Sequence, residues 1–215
     1  MRRVAHAGGE LDLLLLARGP REWVGVDLAS GAYIRFAHPG AEAPAGVRPG
    51  RSALRLSLGA PEPPDPARPE AVTSDGEFVV LPPPRRRPTR RLLDALTQTE
   101  RRGATLLGSH GPSIAYVDLD PDESSLVLVR AGKALEVLAD EQGEALASVT
   151  FGGTTQQLPV LDPPLRRAAA TAWPRPLSGA ALATALGHRP GYLLIGLDAV
   201  EGGHVKKVVL AVLER

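Results

Sequence analysis

Thr105 to Arg130 reads TLLGSHGPSIAYVDLDPDESSLVLVR. An apolar run from Ser113 to Leu119 meets a polar corner, Asp120-Pro121-Asp122-Glu123, and a second apolar run, Leu126 to Val129, follows. β-Branched and aromatic residues on both sides of a Pro/Asp/Ser corner predict a β-hairpin. The same layout recurs twice. Gly19-Pro20 leads into Trp23 to Asp27, a turn at Ala29-Ser30-Gly31, and Ala32 to Phe36. Pro190-Gly191 leads into Tyr192 to Asp198, a turn at Glu201-Gly202-Gly203, and Val205 to Leu213. In each case Gly and Pro open the strand and an Asp closes it, where its carboxylate can bond the local backbone. The units lie about ninety and then about eighty residues apart, against the fixed period of about 20–50 residues of tandem arrays. They therefore read as three hairpins rather than as repeats.

Outward from these hairpins, more strands are expected. Leu11 to Ala17 is a buried strand that joins the first hairpin in a three-stranded meander. Ser52 to Leu58 alternates, with Leu54, Leu56 and Leu58 on one face and Ala53 and Arg55 on the other. Gly59 to Asp75 carries five prolines and reads as an irregular excursion. Glu77 to Leu81 is a short strand. Ala134 to Ala139 and Ala145 to Phe151 flank a turn at Asp140 to Gly143, and Gln156 to Leu161 adds another strand. The last strand, Val205 to Leu213, is so apolar that it belongs at the centre of its sheet.

Three helices are expected. Thr89 can cap the first, which runs through Arg102 on a stripe of Leu92, Leu93 and Leu96 and stops at Gly103. Asp162 caps the second through Pro163-Pro164, with Leu165, Ala168, Ala169, Ala172 and Trp173 as its apolar stripe. Ser178 caps the third, which ends at Gly187. The fold class is α+β, predominantly antiparallel β-hairpins with three short helices. The alternative is a single partly open β-barrel with helical plugs. The sharpest break in composition is Pro82-Pro83-Pro84-Arg85-Arg86-Arg87-Pro88, which stiffens toward polyproline. The expected organisation is a β-rich region over 1–81, a Pro/Arg-rich linker over 82–88 and an α+β region over 89–215.

The 215 residues suffice to bury a core, and 21 Pro and 23 Gly make the chain turn-rich. The absence of Cys excludes a disulfide framework and a thiolate metal site. A net charge of +1 gives no global pull toward nucleic acid or membrane. Arg outnumbers Lys 22 to 3 and Asn is absent, as in chains from GC-rich bacterial genomes. Arg2-Arg3 before Leu11 to Ala17 does not read as a signal peptide, since the apolar stretch is short and holds Asp12. No run reaches the ~18 apolar residues of a spanning helix. A soluble protein of a bacterial cytoplasm is the expectation, with no membrane partner.

No chemical motif assigns a function. Counted as a calcium loop from Asp118, Glu123 stands where Gly is needed and Val129 where Glu is needed. His6, His38, His110, His188 and His204 form no HxH, HxxxH or HExxH pair. His110 and His188 could still join Asp118 and Asp198 in a His/Asp cluster. Gly108-Ser109-His110-Gly111 is not a nucleophile elbow. Phosphate-binding glycine motifs are absent, and Gly152-Gly153-Thr154-Thr155 is at most a small anion nest. No metal site and no cofactor are expected.

One charge feature stands out. Arg85, Arg86, Arg87, Arg90 and Arg91 form an arginine arm suited to phosphate or to another partner. The region from Asp118 to Glu144 is acidic, so the two could also neutralise each other within a copy or between protomers. No aromatic residue lies in the arm, so base stacking is not expected there. The leading expectation is a non-catalytic binding or assembly module, with a protein partner or a homo-oligomer. One alternative is a nucleic-acid-associated protein that uses the arm. A second is a small hydrolase-like enzyme built on the His/Asp cluster.

Overall fold

The computed structural model describes residues 9–19, 22–37, 46–59, 65–132 and 134–215. His6 and His38 lie outside the described residues, as do most of the loop expected over 38–50 and part of the proline-rich excursion. The chain forms two compact units, Met1–Leu96 with Asp120–Ser125, and Thr97–Leu119 with Leu126–Arg215. The residues 82–88, read as a linker, fall within the span of the first unit.

The first unit contains β1 (Glu10–Arg18), β2 (Glu22–Asp27), β3 (Tyr33–Ala37), β4 (Ala53–Leu58), β5 (Ala71–Val72), β6 (Ser74–Val80) and α1 (Arg86–Leu96). Its sheet has the order β5-β3-β2-β1-β4-β6. The meander β1-β2-β3 is as expected, and Asp27 closes β2 through its local backbone. Its carboxylate accepts from the amides of Ala29 at 3.2 Å and Ser30 at 3.0 Å. The sheet is curled, because β5 and β6 are consecutive pieces of one run of chain. The first piece pairs with β3 and the second with β4. Leu11, Leu13, Leu15, Trp23, Phe36 and Leu54 lead the core of this unit.

The second unit begins with β7 (Ser113–Ala115), a 3-10 turn at Tyr116–Asp118 and β8 (Leu126–Arg130). It continues with β9 (Glu136–Ala139), β10 (Ala145–Phe151), β11 (Thr154–Pro159), α2 (Pro163–Ala172), β12 (Leu177–Ser178) and α3 (Gly179–Leu186). The pair β13 (Pro190–Glu201) and β14 (His204–Glu214) closes the chain. The two sheets have the orders β11-β10-β9-β12 and β7-β14-β13-β8. Val129, Val137, Phe151, Leu165, Leu193 and Val209 are among the residues of one buried cluster that both sheets and α2 share.

The α+β expectation holds: three mainly antiparallel sheets and three short helices. The strands are shared among three sheets, so no single barrel takes up the whole chain.

The central hairpin is corrected. β7 pairs with β14 and β8 pairs with β13, so the two runs of Ser113 to Val129 lie on opposite edges of one sheet. Between them stands the β13–β14 hairpin. It closes through Gly202 and Gly203, at φ 57° and 78°, as the turns favoured in two-residue hairpins require. That long ladder outcompetes a short local pairing. The 3-10 turn ends β7, and Asp120–Ser125 is drawn into the first unit. The expectation for β14 holds, since it is a central strand.

The first helix is corrected at both ends. It begins at Arg86, so Pro88 sits in its first turn, where a missing N–H costs nothing. Thr89 is not the cap; its amide and hydroxyl both donate to the Arg85 carbonyl, at 3.2 and 3.0 Å. The helix stops at Leu96 because Thr97 bridges to Leu128 and the Gln98 amide donates to the Leu128 carbonyl at 2.8 Å. Gly103, at φ 79°, serves a separate turn. The excursion over 59–75 is also more regular than expected. After Pro69 the chain carries no Pro until Pro82, which leaves room for β5 and a β6 longer than the expected strand. In α2, Leu165, Ala168 and Ala169 are buried, but Trp173 is the residue after the helix and is 54% exposed.

Candidate functional site

Arg86 and Arg87, read as part of a stiff extended segment, sit on the same helix as Arg90 and Arg91, which were expected there. Arg86, Arg87, Arg90 and Arg91 belong to α1, and Arg85 immediately precedes it. At about 100° per residue, the four helical arginines fall within an arc of about 140°. Thr89 and Leu93 are buried, and Leu92 and Leu96 are half-buried, which fixes the opposite side of the helix as its inner face. Arg85, Arg86, Arg87, Arg90 and Arg91 are all exposed. Arg86 has a polar or electrostatic partner. The guanidinium groups of Arg87, Arg90 and Arg91 make no ion pair with any described residue.

The charge of this face is only partly offset, by Asp94 at helical spacing from Arg90 and Arg91. The first turn of α1 holds no acidic residue, so Arg86 and Arg87 stand at the positive end of the helix dipole. The i, i+4 pairs Arg86/Arg90 and Arg87/Arg91 are like-charged, which is mildly unfavourable. Neutralisation by the acidic region is not seen among the described residues. The acidic region's ion pair is Glu144 with Arg166 of α2, at 3.3 Å. The face can therefore hold an anion supplied from outside, through guanidinium forks that match carboxylate or phosphate oxygens.

The chain matches no protein-family model, no curated protein and no solved structure.

The first unit also holds a buried polar network that the sequence did not reveal. Arg35, 1% exposed, donates to Glu22 Oε1 at 2.5 Å and to the Ser125 carbonyl at 3.2 Å. Arg68 donates to Glu22 Oε2 at 3.1 Å. Glu70 accepts from the Ser125 amide at 2.6 Å, from the Ser125 hydroxyl at 2.7 Å and from the Ser124 hydroxyl. Two guanidinium groups and two carboxylates balance in charge, so the network has no charge left for a ligand. Its effect is to anchor the segment 120–125.

In the second unit, Lys207 is fully buried and donates to the Ser109 carbonyl at 2.6 Å. Burial without a counter-charge pulls its pKa down to about 8. A parity signal was present in the sequence: Val205, Lys207 and Val209 alternate onto one buried face of β14. Asp162 precedes α2 as its cap residue, as expected, but burial pushes its pKa up to about 7. The backbone N–H groups of Val212 and Leu165, and then Arg167, act in the opposite direction. The Leu165 amide nevertheless falls short of cap hydrogen-bond geometry.

The remaining expectations are placed as follows. His188 precedes β13 and His204 begins β14, at opposite ends of a 12-residue strand. At about 3.3 Å per residue they are on the order of 40 Å apart. His110 and His204 are exposed, and no three His, Asp or Glu side chains gather as a metal-binding group among the described residues. The small anion nest is taken up internally: the Gly152 amide donates to the Glu100 carboxylate at 3.1 Å. Among the described residues, no helix is long and apolar enough to cross a membrane.

Proposed function

We propose that this protein is a non-catalytic binding module of a bacterial cytoplasm that docks an anionic partner through the arginine face of α1. The observation that supports this reading is that Arg87, Arg90 and Arg91 are exposed on one side of a helix anchored by Thr89 and Leu93 and make no ion pair with a described residue. A helix holds guanidinium groups in a fixed array, so a partner loses less entropy on binding than it would against a flexible arm. The Pro112 carbonyl accepts from the amide of Lys207, which lies opposite Leu197, so His110 stands toward the far end of β13 from His188, and this argues against their cluster.

A second reading, sequence-independent binding to nucleic acid, is favoured by the same one-sided placement of the arginines. With no aromatic residue from Arg85 to Arg91, contact would be to phosphates rather than bases.

The test is a titration of duplex DNA, single-stranded RNA and polyglutamate against the protein and its Arg87→Ser/Arg90→Ser/Arg91→Ser variant at two salt concentrations. Binding of at least one polyanion, weakened by salt and by the triple change, is expected. On duplex DNA, four engaged arginines give a slope of log K against log salt near about −3.6, and the variant gives about −0.9. No binding of any polyanion at low salt overturns the reading.

A further inference from the structure

We propose that the arginine face of α1 receives the acidic tip Asp120-Pro121-Asp122-Glu123 of a second copy of this chain, joining copies tip to helix. The proposal rests on the reading of α1 as the docking element and names its partner.

The tip is an exposed anionic turn held by local hydrogen bonds. Asp120, Asp122 and Glu123 are exposed. The Asp120 carboxylate accepts from the Asp122 amide at 2.8 Å, and its carbonyl accepts from the Glu123 amide at 3.1 Å, which closes the turn. Immediately after it, Ser124 and Ser125 are fastened to the buried Glu70. The carboxylates of Asp122 and Glu123 therefore stand on a turn fixed at its base, and little order remains to be imposed on binding.

Donor and acceptor faces belong to the same compact unit, yet they do not meet within one copy. Asp122 and Glu123 make no ion pair with any described residue, and neither do Arg87, Arg90 and Arg91. Unpaired charges of opposite sign at separate places on one unit can pair with each other between copies. A net charge of +1 offers little overall repulsion to oppose this. Carboxylates on guanidinium forks give geometric selectivity as well as attraction. Tip and helix are different surfaces, so a pair held by one such contact leaves one free tip and one free helix face, while a two-fold pair makes both contacts at once. Copies joined by single contacts close into a ring or extend as a chain.

The test uses the full chain and two neutralised variants in sedimentation velocity. One carries Arg87→Ser, Arg90→Ser and Arg91→Ser. The other carries Asp122→Asn and Glu123→Gln and keeps Asp120, which holds the turn. The unaltered protein should form a dimer or larger species at about 20 mM salt and revert to monomer at about 500 mM. Each variant alone should be a monomer. Mixed one to one, the intact tip of the first should dock on the intact helix of the second and give a dimer that grows no further. Polyglutamate should dissociate the unaltered assembly. A monomer for the unaltered protein at about 20 mM salt, a mixture that stays monomeric, or assembly unchanged by either variant overturns the proposal. If the unaltered protein is a monomer but DNA or RNA binding is lost in the arginine variant, the partner is nucleic acid. In that case the docking role of α1 survives without self-assembly.

Discussion

Glu70 and Ser125, 55 residues apart in the sequence, are joined by two hydrogen bonds, in which the Ser125 amide and hydroxyl both donate to the Glu70 carboxylate. The Glu70 carbonyl also accepts from the Arg35 amide at 3.0 Å, so one residue ties the sheet of the first unit to the acidic tip.

Glu70→Ala should destabilise the protein by about 3 kcal/mol, because it leaves the buried Ser125 amide and hydroxyl without their acceptor and takes one of two carboxylates from the buried Arg35, which keeps Glu22. Glu70→Gln should cost less, since an amide oxygen can still accept one of the bonds. Urea unfolding gives the stability. Limited proteolysis should show faster cleavage in Asp120–Ser125 for the Ala variant, and equal cleavage rates in both variants would contradict the anchoring role.

Gly152 and Gly153 are adjacent but not equivalent. Both have positive φ, 61° and 89°. A Cβ on Gly152 would lie 2.0 Å from the Ala104 carbonyl oxygen, whereas one on Gly153 would meet nothing within 4 Å. Gly152→Ala should therefore cost about 3 kcal/mol or more through a backbone clash, and Gly153→Ala about 1 kcal/mol through left-handed strain alone. Thermal or urea melts of the two variants check the order.

Asp162 makes stability depend on pH. Its folded pKa of about 7 lies above the ordinary 3.8, so between these values the folded state holds a proton that the unfolded state has lost. Stability from this group therefore falls as pH rises from about 4 to about 7, by up to about 4 kcal/mol. Asp162→Asn keeps a good capping residue without the charge and should flatten the slope in that window. Urea midpoints at the two ends of the window, for both proteins, provide the measurement; parallel curves would count against a buried carboxyl.

Lys207 acts in the opposite direction at higher pH. Its folded pKa of about 8 lies below the ordinary 10.5, so between these values the unfolded chain binds the extra proton. Stability from this group should rise across that window, by up to about 3 kcal/mol, as the buried amine becomes neutral. Lys207→Met should abolish the rise. It should also loosen the loop around Ser109, whose carbonyl loses its donor, visible as faster amide exchange there.

The sequence by itself determined the local elements whose signals are local. Gly202-Gly203 set the closing hairpin, Asp27 set the end of β2, and Asp162 with Pro163-Pro164 set the start of α2. Alternation set Leu54 and Leu56 inward on β4. Tertiary structure decided what depends on competition between distant partners. Ser113 to Val129 carries every local mark of a hairpin, yet β13 and β14 offer its strands longer ladders, and the two runs part to opposite edges. The first helix has no strong stop of its own before Gly103, so the pairing of Thr97 and Gln98 with Leu128 ends it. Arginine composition made the basic site legible, but the helical placement of Arg86 and Arg87 was hidden behind prolines that a first turn tolerates. Glu70 and Arg35 were not legible as buried polar residues, because burial of a charge is set by which chain segments close over it, and those segments lie 55 and 90 residues away.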